Sequence, residues 1–163
     1  MSYLIDTNVV SELATAKPHA AVQAWFAKTP DVALFLSALV LGEIRRGVQK
    51  LLGAEDAQRR ERLRAWLEHY LREWFGKRIL PIGPDVADYW GRLLAQAGRP
   101  VPAIDSLLAA TALHHGLRLV TRNPCDLITR AWKSSTRRRR RPAETAAWRL
   151  SRTSEDSADP APL

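Results

Sequence analysis

The chain has 163 residues, of which 46% are hydrophobic, and it carries a formal net charge of +8. This length fits one domain with an appendage, and the apolar content is sufficient for a buried core. No apolar run approaches the roughly 20 residues that span a bilayer, and no basic segment precedes the first apolar run, so we expect neither a membrane helix nor a secretory signal. With Cys125 as the single cysteine, an internal disulfide and a cysteine-rich zinc site are excluded, which suits a reducing cytoplasm.

The positive charge is concentrated towards the C-terminus. Residues 1–126 contain 16 Lys and Arg against 13 Asp and Glu, a net +3, whereas residues 127–163 contain 9 against 4, a net +5. The net charge of the larger part is therefore too small to indicate nucleic-acid binding by itself.

Hydrophobic periodicity and capping residues predict strands that alternate with helices. Short apolar runs predict strands at 3–5, 32–36, 79–82 and 117–121. Helical spacing predicts helices at 9–13, from Pro18 through Phe26, from a Ser37 cap through Gly47, and at 54–75, 84–97 and 104–115. The tryptophans within 54–75 share the spacing of the leucines, which favours core positions over base stacking. Short connections between these elements indicate an α/β sandwich around a central parallel sheet.

Four acidic residues fall near the predicted carboxyl ends of the strands. Asp6 ends the first strand, and Asp126 lies in the loop after the fourth. Asp105 begins a helix reached through a proline loop, and Glu43 lies one to two turns inside the helix after the second strand. Ligands of parallel α/β sheets bind outside these strand ends, and crowded carboxylates repel each other unless a cation lies between them. Such a cluster would suit a magnesium site, at which a phosphodiester hydrolase uses the ion to activate water.

Each acid also has a purely structural interpretation. Asp6 could cap a helix, and Glu43 could be a solvated helix residue. Asp105 could favour the positive end of a helix dipole, and Asp126 could occupy a turn. The spacing alone does not show that these side chains meet.

Other charged side chains carry weaker signals. The basic residues after Glu43 (Arg45, Arg46 and Lys50) could guide phosphates, although we favour a solvated helix face for them. His114 and His115 end a helix, where a positive side chain suits the dipole, and no partner for histidine catalysis is identified.

Four segments, in the same order along the chain, resemble a known family. They are residues 4–8 (LIDTN), 37–44 (SALVLGEI), 103–112 (AIDSLLAATA) and 119–123 (LVTRN). Together they resemble a PIN-domain ribonuclease, specifically a VapC-type (FitB-like) toxin of a bacterial toxin–antitoxin pair, over residues 3–126.

The resemblance implies a PIN-like α/β/α sandwich and a cytoplasmic endoribonuclease that depends on Mg²⁺ or Mn²⁺. It also implies an RNA substrate, a homodimer and inhibition by a small antitoxin encoded beside the toxin. By position, Asp6, Glu43 and Asp105 match the three core acids, with Asp6 and Asp105 as direct metal ligands.

The fourth acidic position is split between two residues. Asn123 stands where some family members have an acid, and Asp126 matches the aspartate that closes the loop in others. We assign Asp126 as a metal ligand or water-positioning group, with Asn123 and Thr7 as hydrogen-bonding support.

The resemblance ends at Asp126. We therefore predict a PIN domain at 1–126, without the family's final strand, and a disordered tail at 127–163 that is first basic and then rich in Ser, Pro and acids. Under one choice of codons for residues 126–137, one added base in the Leu127 codon gives Asp-Phe-Asp-His-Ala-Gly-Val-Glu-Val-Ile-Asn-Pro, the ending typical of the family. Our hypothesis for the tail is a frameshift at Leu127, from a deletion or a sequencing error.

Two other functions remain open at this point. One is an inactive PIN remnant that binds antitoxin or nucleic acid without cleavage, and the other is a nucleic-acid-binding protein acting through the arginine run at 137–141. Retained partner binding without turnover identifies the first, and loss of binding on deletion of 127–163 identifies the second. No motif predicts which RNA is cleaved.

Overall fold

A computed structural model describes residues 1–53, 55–97 and 100–122, together with the backbone of 148–149. The predictions made for Asn123, Cys125 and Asp126 lie outside the described residues. The same holds for almost all of the predicted tail.

Five strands form one parallel sheet in the order β3-β2-β1-β4-β5. Its central strands bury Leu4 and Ile5 of β1, Leu34 of β2 and Val120 of β4 completely. Strands covered on both faces read as continuous apolar runs, which explains why the sequence marks them clearly. The predicted α/β architecture around a parallel sheet is confirmed. The strands are β1 (Tyr3–Ile5), β2 (Leu34–Ser37), β3 (Ile79–Leu80), β4 (Arg118–Thr121) and β5 (Trp148–Arg149).

Helices connect the strands, and most of them match the predicted positions. In the described residues they are α1 (Thr7–Val10), α2 (Ala20–Lys28), α3 (Ala38–Gln49), α4 (Ala57–Ala65), α5 (Arg72–Phe75), α6 (Pro84–Ala97) and α7 (Ala103–His114). Gly116 has a φ of +64° and separates α7 from β4, a left-handed conformation that glycine commonly adopts just after a helix. Among the described residues, no helix is long and apolar enough to cross a membrane.

The prediction of one uniform helix at 54–75 is wrong in detail. Helices α4 and α5 are joined by a π-helical segment, Trp66–Leu71, and α4 begins only at Ala57. The run buries Leu67, Leu71 and Phe75, which are spaced four residues apart. This spacing drifts around an α-helix of 3.6 residues per turn, and the wider π turn compensates for the drift. The tryptophans of the run, Trp66 and Trp74, pack against the core as predicted.

Local hydrogen bonds move several predicted boundaries. The helix predicted from Pro18 begins at Ala20, because His19 Nδ1 accepts the Ala21 N–H at 3.2 Å and caps it. The helix predicted at 9–13 begins at Thr7 and passes after Val10 into a 3₁₀ turn at Ser11–Ala14.

Two strands also differ from their predicted bounds. Strand β2 begins at Leu34, not at residue 32, because Asp31–Ala33 form a 3₁₀ turn closed by the bond from Ala33 N to Pro30 O at 2.9 Å. Strand β3 is limited to Ile79–Leu80 and so ends two residues before its predicted end.

The predicted tail contributes one described element. Strand β5 pairs in parallel with β4, with Trp148 beside Val120 and Arg149 beside Thr121. The free edge of β4 is therefore covered by backbone from the tail. The boundary at 126 and the disorder of the tail stay predictions.

Candidate active site

The candidate site lies at the C-terminal edge of the sheet, where the strand order reverses. The chain runs outward from β1 to β2 and β3, and then crosses back to β4 on the other side of β1. In open parallel sheets such a switch point leaves a crevice that binds ligands. Asp6 follows β1 at this crevice and its backbone N–H donates to Val120 O at 3.0 Å, so Asp6 lies directly beside the end of β4.

In the part of the chain that the structure describes, three donors hold the carboxylate of Asp6. Oδ1 accepts the backbone N–H of Thr7 at 2.6 Å, which makes Asp6 the N-cap of α1. Oδ2 accepts the side-chain amide of Asn8 at 2.8 Å and the hydroxyl of Thr121 at 2.5 Å. The capping interpretation of Asp6 is thus correct, but the cap uses only one of the two oxygens. The other oxygen, Oδ2, accepts the hydrogen bond from Thr121 at the end of β4.

Thr7 joins Asp6 to Glu43. Its backbone N–H binds Asp6, and its hydroxyl donates to Oε2 of Glu43. Glu43 reaches this point because Ser37 caps α3, its hydroxyl accepting the Leu39 N–H at 3.3 Å, so that Glu43 falls in the second turn of the helix. The strand end of β2 therefore positions Glu43 just as β1 positions Asp6.

The three predicted core acids share one electrostatic environment. Burial raises the pKa of Asp6 above its usual range, and the negative charges of Glu43 and Asp105 raise it further. Hydrogen bonds from Thr121 and Thr7 act in the opposite direction and favour the ionised form. Asp105 lies in the exposed first turn of α7, close enough for its charge to act on Asp6. The fold therefore brings together residues that are about one hundred positions apart.

The donor set fits a divalent cation. A cation among these carboxylates would relieve both the burial of Asp6 and the repulsion from its neighbours. Within residues 1–53, 55–97 and 100–122, no three Asp, Glu, His or Cys side chains come together as a group that could hold a metal ion by themselves. Mg²⁺ commonly takes one or two carboxylates and keeps several waters, so an open set of oxygen donors suits it.

Two residues at the site were missed by the sequence reasoning. Asn8 and Thr121 both bind Oδ2 of Asp6, and Asn8 Nδ2 also lies 3.3 Å from Thr121 Oγ1. Asn8 Oδ1 additionally accepts the backbone N–H of Arg122 at 3.1 Å. A signal was available, because Thr121 ends β4 inside the LVTRN segment and Asn8 lies two residues after Asp6 inside the LIDTN segment.

The basic residues after Glu43 do not share its surroundings. Arg45 forms an ion pair with Glu68 of the π-helical segment at 2.8 Å, which links α3 to the long helical run. Arg46 and Lys50 are exposed, in agreement with a solvated helix face. His114 and His115 lie at the far end of α7 from Asp105.

Comparison with known proteins identifies the fold. A family model described as the PIN domain matches residues 3–124. The chain belongs to the PIN-domain family. This assignment agrees with the order of the four segments that carry the resemblance.

Several known PIN domains are similar to this one. Toxin FitB of Neisseria gonorrhoeae is 34% identical over 123 residues, which cover 74% of this chain and 86% of FitB. A VapC ribonuclease of Sinorhizobium fredii is 35% identical, again over 74% of this chain and 86% of its own length. The crystal structure of FitAcB from Neisseria gonorrhoeae matches with a TM-score of 0.68 at 34% identity, covering 74% of this chain and 87% of that one. The PIN domain described here is therefore similar to those of FitB and VapC proteins.

Proposed function

We propose that this PIN domain is a magnesium-dependent endoribonuclease and the toxin of a toxin–antitoxin pair. The observation that supports the proposal is the partly buried carboxylate of Asp6 at the switch point, linked through Thr7 to Glu43, with a pKa that the charges of Glu43 and Asp105 help to raise. Carboxylates gathered in this way destabilise the metal-free protein and favour a bound cation. The similarity to a VapC ribonuclease and to a FitB toxin supports the choice of substrate and biological role.

Each acid has a distinct part in this proposal. Asp6 and Asp105 hold the cation, which we take to be Mg²⁺, with Mn²⁺ as a substitute. A bound divalent cation supplies a water of lowered pKa and neutralises charge on the leaving oxygen of the phosphodiester. Asp126, assigned as the fourth acid with Asn123 beside it, lies outside the described residues.

The side chains around Asp6 hold its carboxylate in a fixed orientation for metal binding. Three hydrogen bonds fix the orientation of its carboxylate and offset part of the cost of its burial. Glu43, held by the Thr7 hydroxyl, can accept a proton from a water or orient that water towards the phosphate.

The proposed partners are an RNA, a small antitoxin and a second copy of the chain. The VapC-type resemblance implies a homodimer in the cytoplasm whose activity is blocked by the antitoxin. A small gene directly beside this one, whose product co-purifies with the chain and suppresses cleavage, would support the pairing.

The test is RNA cleavage by the purified full chain with and without Mg²⁺. We expect cleavage that requires the metal and is lost by at least about a hundredfold in Asp6→Ala. Asp88→Ala is the control, because Asp88 is an exposed acid on α6 paired with Arg92 at 2.6 Å. Cleavage that survives in Asp6→Ala contradicts the proposal, and so does a chain that stays inert after residues 127–163 are replaced by the family's ending.

A further inference from the structure

We propose that Trp90 and Ser106 are positioning residues for Asp105, acting through a hydrogen-bonded link between α6 and α7. The inference rests on the proposed function, because it concerns the metal-binding role of Asp105. It assigns a task to a partly buried tryptophan that packs against the core.

The first turn of α7 needs support from outside the helix. Its N-cap is Pro102, and no side chain accepts a hydrogen bond from the N–H groups of this turn as a cap. Uncapped helix ends fray, because the first N–H groups lack a partner within the helix. Asp105 lies in this turn and is exposed, so its own burial contributes little to its placement.

A hydrogen-bonded link ties this turn to α6, although it leaves the N–H groups of the turn uncapped. The indole Nε1–H of Trp90 donates to Ser106 Oγ at 2.9 Å, and the same hydroxyl donates to Ala103 O at 2.9 Å. Ser106 is 1% exposed, so water does not compete for these bonds. The link therefore joins α6 to the residue after Asp105 and to the residue two before it.

Because Ala103 and Ser106 lie on either side of Asp105 in the chain, holding both of them restricts the path of its backbone. Groups that hydrogen-bond a metal ligand commonly change metal affinity or activity about 10–100-fold when they are lost. This link acts one step further out, through the backbone on either side of Asp105, so we expect the lower end of that range. If the link only stabilised the fold, its removal would lower the free energy of unfolding and nothing else. If it positions Asp105, its removal also lowers the affinity of the folded protein for the cation.

The experiment compares Trp90→Phe with Trp74→Phe in the full chain. Each change removes one indole donor and keeps an aromatic ring, but Trp74 donates to Asp31 Oδ2 at 2.8 Å, near the N-terminal end of β2. Binding of Mn²⁺ is measured by calorimetric titration without RNA, and cleavage is measured in parallel. We expect Trp90→Phe to weaken Mn²⁺ binding and lower kcat about tenfold with KM for RNA unchanged, and Trp74→Phe to change both less than twofold.

Ser106→Ala gives an independent variant. Alanine has the higher helix propensity, so a loss cannot be assigned to a poorer helix former. We expect the same tenfold losses as in Trp90→Phe, and no further loss when the two changes are combined, because both remove one link. Amide exchange of Ser106, whose N–H donates to Pro102 O at 3.0 Å, should speed up several-fold in both variants.

The outcomes separate the two proposals. If Asp105→Asn abolishes Mn²⁺ binding and cleavage while Trp90→Phe and Ser106→Ala behave like Trp74→Phe, the positioning role is wrong and the nuclease stands. If Asp105→Asn leaves metal binding and cleavage intact, the function proposed for Asp105 is itself wrong.

Discussion

The hydroxyl of Thr121 donates a hydrogen bond to Oδ2 of Asp6 at 2.5 Å, although the two residues are 115 positions apart. The contact spans the point where the sheet reverses its strand order, since Asp6 follows β1 and Thr121 ends β4. Thr121 is 1% exposed, so the bond operates with little competition from water. At the base of the crevice, the end of β4 is thus hydrogen-bonded to one of the candidate metal-binding acids.

Replacing Thr121 by Val removes this hydroxyl at nearly constant volume. The bond lowers the pKa of Asp6, so Thr121→Val should raise that pKa further and shift the acid limb of the pH–rate profile upward. Carboxyl carbon NMR of Asp6 measures the pKa directly. Thr111→Val is the control, because Thr111 is equally buried but donates to Leu107 O inside α7. An unchanged titration of Asp6 in Thr121→Val would show that the bond has no electrostatic role.

Asp6→Asn should stabilise the protein in the absence of metal while it abolishes cleavage. The change removes a partly buried charge that is repelled by Glu43 and Asp105. The amide oxygen keeps the bond from the Thr7 N–H, whereas the amide nitrogen is itself a donor and loses the bond from Asn8 Nδ2. We expect the free energy of unfolding to rise by about 0.5–1 kcal/mol, a modest gain because part of the burial cost is already offset. Urea denaturation with a chelator present measures it, and a fall in stability contradicts the electrostatic account.

The same raised pKa predicts a pH dependence of stability. The folded protein binds the Asp6 proton more tightly than the unfolded chain, so this group favours folding increasingly as the pH falls. The contribution is complete below the usual pKa near 3.8 and is lost as the pH rises through the raised value.

The difference in unfolding free energy between Asp6→Asn and the parent chain isolates this contribution. It should be largest at neutral pH and shrink on acidification, when the parent carboxyl takes up its proton. A difference that stays constant from pH 7 to pH 4 would show that Asp6 titrates alike in the folded and unfolded states.

Glu12 should be a structural acid, in contrast to the three at the crevice. Its Oε1 pairs with Arg122 and its Oε2 accepts the His19 N–H at 2.9 Å, with only 15% of the side chain exposed. We expect Glu12→Gln to lower the free energy of unfolding by about 1–2 kcal/mol, since one ion pair is lost in a partly buried place. Glu61→Gln, at a side chain 69% exposed and 3.9 Å from Arg64, should change it by less than about 0.5 kcal/mol.

The frameshift hypothesis predicts the nucleotide sequence around residue 127. One additional base in the Leu127 codon should open a frame that encodes the Gly-Val-x-Val-x-Asn-Pro ending typical of the family. Resequencing the gene tests this, and a sequence that yields no such ending in another frame contradicts it. A chain rebuilt with that ending should unfold at a higher urea concentration than the present one, because a complete final strand covers more of the sheet edge.

The amino-acid sequence by itself determined the elements and their class. Apolar runs such as Leu4–Ile5 mark buried parallel strands, and Ser37 and Gly116 mark a helix start and a helix end. These signals are local, so they can be seen without knowing the tertiary fold. The same local chemistry let the four segments LIDTN, SALVLGEI, AIDSLLAATA and LVTRN indicate the PIN family and name Asp6, Glu43 and Asp105 as candidates.

Only the tertiary structure decided which of these residues meet and what holds them. The crossover from β3 to β4 on the far side of β1 places Thr121 against Asp6, and the packing of α6 on α7 places Trp90 against Ser106. Neither contact leaves a periodic pattern in the sequence. The first depends on the strand order, and the second depends on how α6 packs against α7. The π-helical segment was likewise set by packing, since burial of Leu67, Leu71 and Phe75 outweighs the regular geometry that helix propensity favours.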